Sequence, residues 1–176
     1  MNCRHNTICL LLALVLALPA VIHAAAPPLI AEDFLLLIGD TEYTFDIPAA
    51  TMVASLEKLY ETPMDVSATA SCLFEGEDKE YANDELLIGT CPRGRNGEDV
   101  VETILILGGL WRTTRGIGIG DSRTRVIDAY GEPSLVDYDQ LIYAMGSEVD
   151  APQLIFQVDL ETDTVLTFAL LRNSSK

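Results

Sequence analysis

The sequence predicts an α+β fold: two tandem modules, each a short helix followed by an antiparallel sheet, packed as one domain with the helices on one face. Three observations predict it. The stretch IPAATMVASLEKLYETP, Ile47 to Pro63, recurs in chemical outline as IGIGDSRTRVIDAYGEP, Ile117 to Pro133, without a gap and at an offset of 70 residues. Ile47 then matches Ile117, Leu56 matches Val126, Tyr60 matches Tyr130 and Pro63 matches Pro133, which is apolar spacing of helical period followed by a stop. Each copy precedes a block of short alternating or β-branched runs. Neither block contains the crossover of a dozen or more residues that parallel strands require, so the strands are antiparallel.

Taken in order, Phe34 to Ile38 is a compact apolar run, Gly39-Asp40 a turn pair, and Tyr43, Phe45 and Ile47 alternate with polar residues, which predicts a β-hairpin. A helix over Met52 to Tyr60 places Met52, Leu56, Leu59 and Tyr60 on one stripe, with Thr51 as N-cap and an end before Pro63. Strands are expected at Ser71 to Glu75, Leu86 to Thr90 and Val100 to Leu107, with the polar run GEDKEYANDE as a turn and a Gly/Arg/Asn loop before Val100; three or four strands fit. The second module opens with Asp121 as N-cap and a helix through Tyr130, stopped by Gly131 and Pro133. Strands follow at Tyr138 to Met145, at Leu154 to Leu160 and, after a turn at Glu161 to Thr164, at Val165 to Leu171. Residues 27–111 thus form the hairpin and first module, 112–172 the second module, and 173–176 a polar tail. The tail's Asn173-Ser174-Ser175 triplet matches a glycosylation acceptor, a match that chance explains best.

Residues 1–26 have the pattern of a secretory leader: Arg4 at the front, an apolar run from Ile8 to Leu18, and Ala24-Ala25-Ala26 as a small-residue cleavage pattern. That run is shorter than the roughly 20 residues needed to span a bilayer, so no stable membrane insertion is expected after cleavage. Cys3 and Cys9 stand too early for a lipid anchor. Both histidines, His5 and His23, leave with the leader. Histidine-activated nucleophiles and histidine-containing metal sites are thereby excluded from the exported chain. The leader carries Arg4 and no carboxylate, so removing it from a chain of net charge −16 leaves ten Lys and Arg against 27 Asp and Glu. Nucleic acid and anionic membranes are repelled by such a field, whereas a basic protein is attracted. About 150 residues remain, enough for one domain that buries near 70% of its unfolded surface without a metal staple.

Cys72 and Cys91 survive cleavage, and an even pair in an oxidising exterior predicts a structural disulfide if the strands bring the two close enough. Gly116, Gly118 and Gly120 fail the dinucleotide fingerprint, whose third glycine falls on Asp121; close backbone packing explains them instead. Arg112, Arg115, Arg123 and Arg125 crowd one segment of an acidic chain beside Trp111, the single tryptophan. They form either an anion-recognising patch with an aromatic anchor or a set of internal ion pairs around a core tryptophan. Glu75, Glu77, Asp78, Glu80, Asp84 and Glu85 lack EF-hand spacing and are expected on solvated hairpins, with calcium the alternative. No catalytic motif appears and no cofactor is expected.

The segment TTRGIGIGDSRTRVIDAYGEP, Thr113 to Pro133, resembles the GI-x-IGDS-x-x-x-VI-x-x-YG-x-P element of secreted and lipid-anchored proteins of Gram-positive bacteria, and SCLFEGEDKEYA, Ser71 to Ala82, resembles the strand region that precedes it there. The tandem plan is similar to that of the β-lactamase inhibitor protein and of small outer-membrane assembly lipoproteins of the SmpA/OmlA type. What the resemblance implies is a secreted or envelope-associated module that binds a protein partner, not an enzyme. The rival expectation is a small carboxylate-dependent hydrolase acting on cell-wall or other glycans, which needs two carboxyls about 5–10 Å apart in a cleft.

Overall fold

The computed structural model describes residues 26–92, 98–146 and 151–172. The expected leader up to residue 25, residues 93–97 of the Gly/Arg/Asn segment, residues 147–150 and the expected tail 173–176 with its Asn173 triplet lie outside the described residues. A 3-10 turn, Ala31–Phe34, leads into the predicted hairpin, β1 (Leu36–Ile38) and β2 (Thr41–Tyr43), closed through Gly39 at φ 59°. The hairpin is shorter than the alternation suggested. Phe45 is buried and Ile47 partly so, but both lie in a turn in which Ile47 N–H donates to Thr44 O.

Helix α1 (Ala49–Tyr60) begins earlier than expected. Pro48 is its N-cap without a side-chain bond, and Thr51 falls inside the first turn. Helix α2 (Arg123–Tyr130) is capped one residue later than expected, by Ser122, whose Oγ accepts from Arg125 N–H at 3.2 Å. Asp121 accepts from Gly118 N–H instead. The two helices end alike. Glu61 N–H donates to Glu57 O and Gly131 N–H to Ile127 O, with φ of 54° and 80°. These four residues stand at the same 70-residue offset as the sequence recurrence. Leu56 and Val126, matched in sequence, both face the core.

After α1 come β3 (Asp65–Ala70), β4 (Glu77–Ala82), β5 (Leu86–Cys91) and β6 (Val100–Ile106). The short β7 (Arg112–Thr113) precedes α2, and β8 (Leu135–Asp137), β9 (Gln140–Ala144), β10 (Gln153–Val158) and β11 (Val165–Leu171) follow it. Two expectations need correction here. Residues 71–76 form the turn and the polar run becomes β4, because this hairpin lies at the sheet edge, where no buried side demands hydrophobic alternation. β8 was missed for the same reason: all three of its residues are exposed.

One antiparallel sheet holds eight strands in the order β3-β4-β5-β6-β11-β10-β9-β8. Each module supplies four strands, and the fourth strands of the two modules, β6 and β11, pair at the centre. Each of these two strands also carries a bulge. Glu102 is the extra residue in β6 and Leu166 the extra residue in β11, within the matching runs Val101-Glu102-Thr103-Ile104 and Val165-Leu166-Thr167-Phe168. The bulge resets the pleat so that Val101 and Ile104, and likewise Val165 and Phe168, all reach the core. A second sheet, β2-β1-β7, pairs the N-terminal hairpin with the entry to the second module and so ties across the expected 111/112 boundary. Both helices, this small sheet and one side of the large sheet share a single core around Trp111, Phe156, Phe168 and Met52. Among the described residues no helix is long and apolar enough to cross a membrane.

Candidate functional site

Pleating sends successive residues to opposite sides of a strand. On β10, Leu154, Phe156 and Val158 are buried while Gln153, Ile155 and Gln157 are half-buried. On β9, Leu141 and Tyr143 are buried between half-buried Gln140, Ile142 and Ala144. The buried set packs under the helices. No residue of the other set joins the core, so among the described residues the large sheet has one covered face and one open face.

Register orders the open face. Ala82 lies opposite Leu87, Leu87 opposite Leu105, and Leu105 opposite Ala169. Ala169 lies opposite Ile155, Ile155 opposite Ile142, and Ile142 opposite Leu135. Directly opposed residues share a face with Cβ atoms about 5 Å apart, so these seven side chains make one apolar stripe across seven strands, about 30 Å long. The next row on one side runs Glu80, Gly89, Thr103, Leu171, Gln153, Ala144. On the other side Asp137, Gln140, Gln157 and Thr167 line up, and Thr167 Oγ1 donates to Gln157 Oε1 at 3.2 Å. Asp65, opposite Ala82, ends the stripe at β3. Among the described residues these three rows contain carboxylates at their ends and neither Lys nor Arg.

A signal for this face was present in the sequence. LLI in β5, ILI in β6, LIF in β10 and ALL in β11 are apolar at consecutive positions, so both sides of the central strands are apolar. Such runs mark strands whose two faces are both meant to be covered. Two short helices and a small sheet cover only one of them.

The arginine segment resolves into internal pairs. Arg112 Nη1 donates to Asp121 Oδ2 at 2.7 Å and Arg125 Nη1 to Asp121 Oδ1 at 2.6 Å. Arg123 Nε donates to Asp163 at 2.7 Å across the start of β11. Arg115 spends all its donors: Nε and Nη2 on Asp33, Nη1 on Pro27 O and Ala129 O, and Nη2 also on Pro28 O. It lies over the Tyr130 ring, 4.8 Å from the centroid, and the carboxylate of buried Asp33 raises its already high pKa. Trp111 is 1% exposed and packs on Tyr43, so it fills the core and is not a surface anchor. Gly118 explains part of the glycine run: a Cβ there would sit 2.7 Å from Trp111 O and 2.8 Å from Arg112 Nη1. A side chain at that position would push apart the backbone that encloses the tryptophan.

The disulfide expectation also needs correction. Among the described residues no disulfide joins Cys72 to Cys91; Cys72 is exposed in the turn 71–76 and Cys91 is buried at the end of β5. The unexpected strand β4 lies between β3, which precedes the turn of Cys72, and β5, which ends at Cys91. The acidic cluster is divided as well. Asp78 and Glu80 share one side of β4 and Glu77 takes the other, while Glu85 accepts from the Tyr60 hydroxyl. Among the described residues no group of three His, Cys, Asp or Glu side chains converges as a metal site. A cavity of about 420 Å³ lined by Pro48, Ala49, Ala50, Tyr81, Glu98 and Asp99 holds two neighbouring carboxylates, of which Asp99 is paired with Lys79 at 2.8 Å.

Comparison with known proteins finds no match: no family model, no curated protein and no solved structure matches this chain.

Proposed function

We propose that this protein is an exported, non-enzymatic binding module of the cell envelope or exterior that docks a protein partner on the open face of its eight-stranded sheet. The observation that carries this reading is the apolar stripe from Ala82 to Leu135. Aliphatic side chains left half in water each retain on the order of 1 kcal/mol of unrealised burial, and a partner that covers the row recovers it. The stripe's carboxylate ends favour a partner whose rim is basic and speed its encounter at low salt. The resemblance in tandem plan to the β-lactamase inhibitor protein, which acts by protein contact, supports the same reading.

The test compares the wild type with Ile155→Glu and with the double variant Leu105→Glu, Ile155→Glu in capture of envelope proteins at low and moderate salt. A partner retained by the wild type and lost in the double variant is expected. Retention unaffected by either substitution removes the open face from consideration.

A further inference from the structure

The two edges of the large sheet are unequal. β8 has three residues and follows Pro133 closely, which blunts it. β3 has six, DVSATA, all exposed and in unbroken register with β4, with no Lys, Pro, Gly or bulge to guard it. Ser71 N–H donates to Gly76 O at 3.0 Å, and this bond continues the β3 to β4 register. Bonded pairs alternate along an antiparallel ladder, so Asp65, Ser67 and Thr69 turn their backbone groups toward β4. Val66, Ala68 and Ala70 therefore turn their N–H and C=O groups outward.

The side chains at this edge are sorted by face. Toward the open face the β3–β4 hairpin presents Asp65 with Ala82, Ser67 with Glu80, and Thr69 with Asp78: three carboxylates and, among the described residues, no cation. One oxygen of Asp78 is shielded from water and has no hydrogen-bond partner. Toward the other face it presents Val66, 62% exposed, with Ala68 and Ala70, opposite Tyr81, Lys79 and Glu77 in turn; Lys79 is paired with Asp99, and Glu77 at the turn is the one carboxylate on that side.

We propose that β3 accepts a ninth strand from a cationic, extended polypeptide segment in which basic and apolar residues alternate. This inference rests on the binding-module reading and names both its edge and the chemistry of its partner. The backbone groups of Val66, Ala68 and Ala70 supply the ladder. Basic side chains of the added strand lie on the open face and reach toward Asp65, Glu80 and Asp78, and its apolar side chains lie beside Val66 and the two alanines. A second copy of this chain is a poor occupant, because it would bring two acidic hairpins together.

The probe is a ten-residue peptide of alternating Lys and Val, titrated into the purified protein beside two controls. One control has N-methyl groups on the amides that would face β3; the other alternates Glu and Val. Binding of the Lys/Val peptide is expected to weaken at least tenfold on N-methylation, to weaken with salt, and to be absent for the Glu/Val peptide. Amide exchange at Val66, Ala68 and Ala70 slows on binding. Ala68→Pro, which removes an outward donor and no bond to β4, also weakens binding at least tenfold; if that variant melts early, the N-methylated peptide on wild-type protein decides the question. No binding of the Lys/Val peptide, equal binding of either control, unchanged exchange at the three amides, or self-association through β3 without peptide would each overturn the proposal. Loss of envelope capture in the open-face double variant with no peptide at β3 would leave the proposed function standing and this edge excluded.

Discussion

The indole N–H of Trp111 donates to the hydroxyl of Tyr60 at 2.9 Å, and that hydroxyl donates in turn to Glu85 Oε2 at 2.8 Å. Three segments meet in this chain of bonds: the end of α1, the turn between β4 and β5, and the residue just before β7. Gly109 leaves room for it, since a Cβ there would lie 2.1 Å from Glu85 Oε2.

Tyr60→Phe removes the hydroxyl that accepts from the buried indole donor. The expected loss is about 1–3 kcal/mol, the cost of leaving a buried donor unsatisfied. Urea unfolding followed by the fluorescence of the single tryptophan measures it, and an unchanged midpoint would mean that the indole finds another acceptor.

Burial pushes the Tyr60 hydroxyl up from 10.0 to about 12; the hydrogen bond from Trp111 opposes the shift and Glu85 reinforces it. The folded state therefore keeps a proton that the unfolded chain releases near pH 10. The associated stability is fully present below pH 10 and is lost as pH rises through 12. Denaturant midpoints should fall across that window, and fall less in Tyr60→Phe; parallel pH profiles for the two proteins would contradict the assignment.

Arg115 is expected to be the most sensitive cation in the chain. Asp33 is 3% exposed, and Arg115→Ala leaves its charge without the guanidinium, at a cost of about 3–5 kcal/mol. Arg115→Lys should recover only part of this, because an ammonium cannot serve Asp33, Pro27, Pro28 and Ala129 together. Thermal melts of the three proteins rank them, and a lysine variant as stable as wild type would show that charge alone suffices.

Neighbours on β10 should behave oppositely. Phe156, fully buried among Tyr130, Tyr143 and Phe168, is expected to cost about 3–5 kcal/mol on truncation to Ala. Ile155→Glu should leave folding within about 1 kcal/mol of wild type while weakening partner capture. A melting temperature lowered as much by Ile155→Glu as by Phe156→Ala would mean that the second face is covered in solution.

The parts of the fold that were legible in sequence are those where burial imposes a period. α1, α2, β5, β6, β10 and β11 each pack a side against the core, and their apolar spacing announces them. β3, β4 and β8 bury little, so a run such as EDKEYA looks like a loop although it pairs on both sides. Helix entry shifted by three residues in α1 and by one in α2, the latter for a local reason. Asp121 was drawn away from capping by Gly118 N–H and two arginines, which left Ser122 to cap.

By itself the sequence determined the α+β class, the doubling of the helix-and-strand unit, the acidity, and the presence of apolar residues on both sides of the central strands. Tertiary structure alone decided which side stays open, that Leu87, Leu105, Ala169, Ile155 and Ile142 fall into one line, and that the arginines neutralise Asp33, Asp121 and Asp163. The reason is physical: alternation along a strand is local, whereas register between strands and the pairing of distant charges exist only once the chain has closed on itself.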